Sequence, residues 1–73
     1  MASTENEALA RLTARERQVL HLLAEGLTVD ELANRLGVGI ATVRAHRGRI
    51  MRKLDVSSEG ELIRFALRET MPP

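Results

Sequence analysis

Thr28-Val29-Asp30-Glu31-Leu32-Ala33-Asn34-Arg35-Leu36-Gly37-Val38-Gly39-Ile40-Ala41-Thr42-Val43-Arg44-Ala45-His46-Arg47 is the stretch on which the fold turns. Thr28 and Glu31 have capping-box spacing: the hydroxyl accepts from the third helical N–H, and the Glu reaches back to the cap N–H. Leu27 and Leu32 flank that box as a hydrophobic staple. Gly37 then stands where a left-handed residue closes a helix, and Gly39 is an acceptable cap for a new one. Helices 29–36 and 40–54 are thus joined by a turn too short for antiparallel side-by-side packing. Leu32, Ala33, Leu36, Gly37, Val38 and Val43 supply an apolar corner between them, with Ala33 small enough for close approach. This is the helix-turn-helix pattern; an ordinary three- or four-helix bundle is the bland alternative.

Two more capping boxes lie outward of the corner, Thr13–Glu16 and Ser58–Glu61, each opening an apolar periodic run. Gly26 closes the first of those runs. The expected fold is all-α, a four-helix helix-turn-helix domain with helices at 14–25, 29–36, 40–54 and 59–69. Residues 1–11 and 70–73 are expected as flexible tails around a domain at 12–69. With 73 residues, the chain is one domain near the lower limit for a core without staples. It has no cysteine, so neither a disulfide framework nor a thiolate metal site is available. No apolar run approaches the roughly 20 residues of a membrane span, and the acidic start does not look like a signal peptide.

The net charge of +1 conceals a strong asymmetry. Between Leu32 and Leu54 lie Arg35, Arg44, Arg47, Arg49, Arg52 and Lys53 without a single acid. Such a block suggests a polyanion-binding face. On helix 40–54, Val43, Arg47, Ile50 and Leu54 share one sector, flanked by Ile40 and Met51, which reads as the core side. The opposite side carries Ala41, Ala45, Gly48, Arg49 and Arg52, with Thr42 and Arg44 on its flanks. Small residues allow close approach to a groove, and arginines reach guanine edges or phosphates. A solvated basic face, the alternative, usually has acids interspersed.

Two charges look misplaced. Arg47 lies on the core side of its helix, and Glu16 shares an apolar sector with Leu12, Val19, Leu20 and Leu23. A buried charge needs a partner, so an ion pair Glu16–Arg47 is expected. On helix 59–69, Leu62, Ile63, Ala66 and Leu67 read as the inward stripe, leaving Phe65 outside beside Glu61 and Arg68.

Leu12-Thr-Ala-Arg-Glu16-Arg-Gln-Val-Leu20, Gly26-Leu-Thr28, Glu31-Leu-Ala33, Leu36-Gly-Val38 and Thr42-Val-Arg44-Ala-His46-Arg47 together resemble the DNA-binding domain of the LuxR/FixJ (GerE-like) regulators. Ile50-Met-Arg-Lys53-Leu54, Val56, Ser58 and Glu61-Leu62 continue the likeness to about residue 68. The resemblance implies a bacterial, cytoplasmic, nucleoid-associated transcription regulator that binds double-stranded promoter DNA, with no cofactor, no metal and no membrane. It places helix 40–54 in the major groove, with Arg44, Ala45 and Gly48 facing bases, while Thr28, Thr42, His46 and Lys53 hold the backbone. Helix 59–69 would carry a weak homodimer contact, formed either free or only on DNA, with Phe65, Glu61 and Arg68 as candidates; RNA polymerase is a further candidate partner. Most members carry a receiver or ligand-binding domain ahead of this one, so the chain reads as a stand-alone regulator or as the effector piece of a response regulator.

Two departures stand out: Gly39 where the family usually has Ser, and Gly48 where some members carry a long polar side chain. Rival readings are weaker. His21 and Glu25 could offer two metal ligands, but two do not make a site, so a surface ion pair is expected and an enzyme is not. A protein-interaction module has no need of the acid-free basic block. The promoter-reading region of a sigma factor shares part of the pattern but usually ends before a helix such as 59–69.

Overall fold

The computed structural model describes residues 4–70, with side chains from 7 to 69. They form five helices: α1 Thr4–Ala10, α2 Ala14–Ala24, α3 Val29–Leu36, α4 Ile40–Leu54 and α5 Glu59–Thr70. The last four lie within a residue of their expected bounds. Their local causes are visible. Thr13 Oγ1 accepts from the Glu16 N–H at 3.1 Å, and Glu16 Oε1 accepts from the Thr13 N–H at 2.9 Å. Thr28 and Glu31 repeat that reciprocal pair at 3.2 and 2.8 Å. Ser58 caps α5 through the Glu61 N–H at 3.2 Å, but the Glu61 carboxylate takes the Ser57 hydroxyl instead, at 3.1 Å.

Helix ends follow one device three times. Gly26 and Gly37 are left-handed, at φ 91° and 69°. The following N–H groups, of Leu27 and Val38, close onto the carbonyls of Leu22 and Ala33 at 3.3 and 3.0 Å. Asp55 does the same after α4 at φ 56°, with the Val56 N–H on the Met51 carbonyl at 3.0 Å. Asp tolerates this region better than most residues, yet its Cβ still carries a cost that glycine avoids. Asp55→Gly is therefore expected to stabilise the fold by about 0.5–1 kcal/mol, raising Tm by about 3–6 °C in a thermal melt. An unchanged or lower Tm would show that the αL turn is unstrained.

The core is aliphatic apart from Phe65. Val19 and Leu20 of α2, Leu32 of α3, Val43 and Ile50 of α4 and Leu62 of α5 are fully buried. The α2 helix packs against α5, α4 and α3, while α3 packs against α4 across the short corner at residues 37–39.

Three expectations need correction. The stretch 1–11, expected as a tail, contains α1, which packs on α4; Ala8 and Leu12 are core residues and Leu9 packs against them. A seven-residue helix is too short to be stable by itself, and it is the tertiary contact that holds it. Residues 1–3 and 71–73 lie outside the described residues. Ile40, expected to flank the core, is 41% exposed at the start of α4. On α5, the buried set is Leu62, Phe65 and Ala66, while Leu67 is 44% exposed.

Candidate nucleic-acid interface

The α4 helix turns two chemically different sides to its surroundings. Val43, Ile50 and Leu54 are buried against the other helices. Ala41, Thr42, Arg44, Ala45, Arg49 and Arg52 are exposed, and Gly48 is half-buried. At about 100° per residue, Arg44, Gly48 and Arg52 form one ridge along the outer face, and Ala41, Ala45 and Arg49 form the next. Arg44, Arg49 and Arg52 have no ion-pair partner among the described residues. The first turn of α4 also lacks a side-chain cap, because Gly39 has none to give. Its N–H groups and the positive end of the helix dipole therefore face outward uncompensated.

The two misplaced charges have found different partners from the pair expected. Glu16 is 3% exposed and accepts from Lys53 Nζ at 2.7 Å. Arg47 bonds Glu59 at the start of α5, Nη1 to Oε1 at 2.9 Å. There is thus no Glu16–Arg47 pair. The reason is helical phase: Lys53 lies about 120° around α4 from Arg47 and about 9 Å further along it. That puts Lys53 on the flank towards α2, where its stem can cover apolar surface while the ammonium reaches the carboxylate. The Arg11 guanidinium adds a bond to the Lys53 carbonyl at 3.4 Å, so residues 11–16 hold the last turn of α4 at two points. Lys53 and the Thr13 N–H hold the Glu16 carboxyl below the usual carboxylate range, overcoming the opposing effect of burial.

Two of the six basic charges in the acid-free block are therefore answered by acids from outside it. Arg35, Arg44, Arg49 and Arg52 are left on the surface, with Arg35 one turn from Glu31 on α3. The structure gathers Thr42, Arg44, Ala45, Gly48, Arg49 and Arg52 on or beside one outer face. His46 is half-buried on the flank of that face, its Nδ1 buried without a hydrogen-bond partner. Lys53 is half-buried too, and Thr28 is engaged as the cap of α3. His21 and Glu25 form a surface contact at 3.1 Å, Nε2 to Oε2. Among the described residues, no helix is long and apolar enough to cross a membrane.

The sequence profile of the bacterial regulatory proteins of the luxR family matches residues 10–66. The chain belongs to that family. It is 40% identical over 74 residues to the transcriptional regulatory protein TdiR of Thauera aromatica, covering 93% of this chain and 33% of that protein. It is 52% identical over 58 residues to the uncharacterized response regulatory protein YgeK of Escherichia coli, covering 80% of this chain and 40% of that protein. It is 51% identical over 53 residues to the transcriptional regulatory protein UhpA of the same organism, covering 73% of this chain and 27% of that protein. The chain thus spans roughly a third of the length of these relatives and carries the luxR-family DNA-binding domain.

Within this luxR-family domain, α5 differs most from expectation. Phe65 is 5% exposed and belongs to the core, so it is not the outward aromatic foreseen as a dimer contact. The Arg68 guanidinium carbon stands 5.9 Å from its ring centroid. Val56, Glu61, Arg64, Phe65 and Arg68 line a shallow open depression of about 480 Å³. Leu67 is the apolar side chain that α5 leaves most exposed.

Proposed function

We propose that the chain binds double-stranded DNA in a sequence-specific manner, as the DNA-contacting part of a bacterial transcription regulator, with α4 in the major groove. The observation that carries this reading is the outer face of α4: small residues between exposed arginines, with no acid among them. Major-groove entry needs close backbone approach, and the groove's guanine edges and flanking phosphates need planar and diffuse positive charge. In this reading Arg44, Ala45 and Gly48 face base edges, while Thr28, Thr42, His46 and Lys53 sit along the phosphates. The regulators named among its relatives support the same role, and they support a regulator over an enzyme. A preceding signal-receiving domain, RNA polymerase contact and a place on the cytoplasmic nucleoid belong to the same proposal. So does a weak homodimer through α5, whose apolar contact moves from Phe65 to Leu67, while Glu61 and Arg68 line the neighbouring depression over Phe65.

The test separates reading from holding. Arg44 stands in the first half of α4, where base edges are met. Its fork can bond guanine O6 and N7 together, discriminating by about 1–3 kcal/mol. Arg44→Ala is expected to weaken binding to an enriched site more than to random duplex, measured at matched salt. Arg49→Ala is the comparator, because Lys53 is already neutralised by Glu16 and contributes less to the outer field. It is expected to weaken both duplexes alike and flatten the salt slope by about one unit. With about three arginines engaged per chain, native affinity should fall about 40-fold between 50 and 200 mM salt. A flat salt response overturns DNA contact through α4, and equal specificity ratios for the two variants mean that Arg44 reads no base.

A further inference from the structure

Gly48 is an expensive residue where it stands. It lies in the interior of a fifteen-residue helix, left-handed conformation is not required of it, and glycine there is the least favourable residue short of proline. No close backbone approach demands it either. The nearest atom to the place a Cβ would occupy belongs to a side chain, Arg52 Nη1 at 3.9 Å. Arg52 is one turn further on, and helical side chains lean towards the N-terminus. Its guanidinium therefore lies back over the bare surface that Gly48 leaves.

Two features of Arg52 suit a reading role. It is exposed on the outer ridge with Arg44, and it has no ion pair among the described residues. A guanidinium laid over a helix surface one turn nearer the N-terminus meets the groove floor where the backbone can approach closest. Resting on its own helix, the fork also starts with part of its rotamer freedom already lost, which lowers the cost of ordering it on a base.

We infer that Gly48 and Arg52 act as one base-reading unit: glycine clears the surface, and the Arg52 fork, folded back across it, recognises a guanine edge there. Specificity at that base pair then depends on a residue four positions away from the one that faces it. The inference rests on the reading that α4 enters the major groove.

The test uses a duplex enriched by the protein from a random library. In that duplex each guanine is replaced in turn by 7-deazaguanine, which keeps Watson–Crick pairing but removes N7. One replacement, distinct from the guanine sensed by Arg44, is expected to weaken native binding by about tenfold. Arg52→Lys keeps the charge but not the fork, so it should lose that sensitivity while keeping the salt slope. Gly48→Leu keeps every charge and raises helix propensity, yet should lose the same sensitivity because its side chain fills the resting place of Arg52. Melting curves of both variants at or above the native Tm show that the fold is intact. The inference fails if 7-deazaguanine weakens native protein and both variants alike at every position, or if Arg52→Lys binds the enriched and random duplexes in the native ratio. A library that enriches nothing overturns the DNA-binding reading itself, and this inference with it.

Discussion

Phe65→Ala is expected to cost about 3–4 kcal/mol and to lower Tm by about 15–25 °C, the largest effect of any single truncation in this domain. A domain of this size holds only about 4–11 kcal/mol in total, so most of the margin would go. The ring is 5% exposed and belongs to the same buried cluster as Leu62 and Ala66, each fully buried. Truncation would leave a ring-sized cavity in a core with no other aromatic to move into it. Leu67→Ala on the same helix should cost well under 1 kcal/mol, because its side chain is already 44% exposed. Thermal melts of the two variants decide the matter, and a Phe65→Ala protein melting within a few degrees of native would place the ring outside the core. The contrast also fixes how a dimer contact on α5 must be tested. Loss of cooperative DNA binding in Phe65→Ala would report unfolding, whereas Leu67→Ala leaves the core alone and isolates the surface.

That misplacement shows where sequence pattern reaches its limit. Leu62, Ile63, Ala66 and Leu67 read as the inward stripe of α5, whereas the helix buries Leu62, Phe65 and Ala66. The two sets share Leu62 and Ala66 and differ by a modest roll of the helix, which the apolar pattern alone does not fix. Which way a terminal helix rolls is decided by the helix it packs on, here α2. By contrast, α2, α3 and α4 were legible because their ends are written locally, by Thr13 with Glu16, Thr28 with Glu31, Gly26 and Gly37. Asp55 ends α4 with the same left-handed geometry but without glycine's signal, and α1 is too short for the Thr4–Glu7 spacing to announce a helix by itself. The outer face of α4 was readable for a related reason: a face that touches nothing in its own chain is set by helical phase alone. Arg52 lying over Gly48 is a matter of side-chain direction, which composition does not carry.

Glu16→Ala is expected to cost about 2–3 kcal/mol, the second large effect. One carboxylate serves two elements, since it completes the cap of α2 at the Thr13 N–H and holds Lys53 of α4. Losing a cap arm is worth about 1 kcal/mol, and a charge-assisted bond to a buried acceptor about 1.5–3, with overlap between the two. A double-mutant cycle assigns the partner. Glu16→Ala with Lys53→Met should show a coupling of about 1–2 kcal/mol, whereas Glu16→Ala with Arg47→Ala should be additive within about 0.5. The acid limb gives an independent check. The folded-state pKa of Glu16 lies below its unfolded value, mainly through Lys53, so the folded protein binds fewer protons there. Its contribution is complete above the unfolded pKa and is lost as pH falls below about 5 and on through the folded pKa. The Glu31 carboxyl, lowered by the Thr28 N–H, acts in the same direction from an exposed position. Glu16→Gln removes the titrating group, so its stability should decline less steeply than native between about pH 5 and 3. Parallel acid limbs for the two proteins would mean that Lys53 does not hold the Glu16 carboxylate in solution, and that the last turn of α4 is fixed by packing alone.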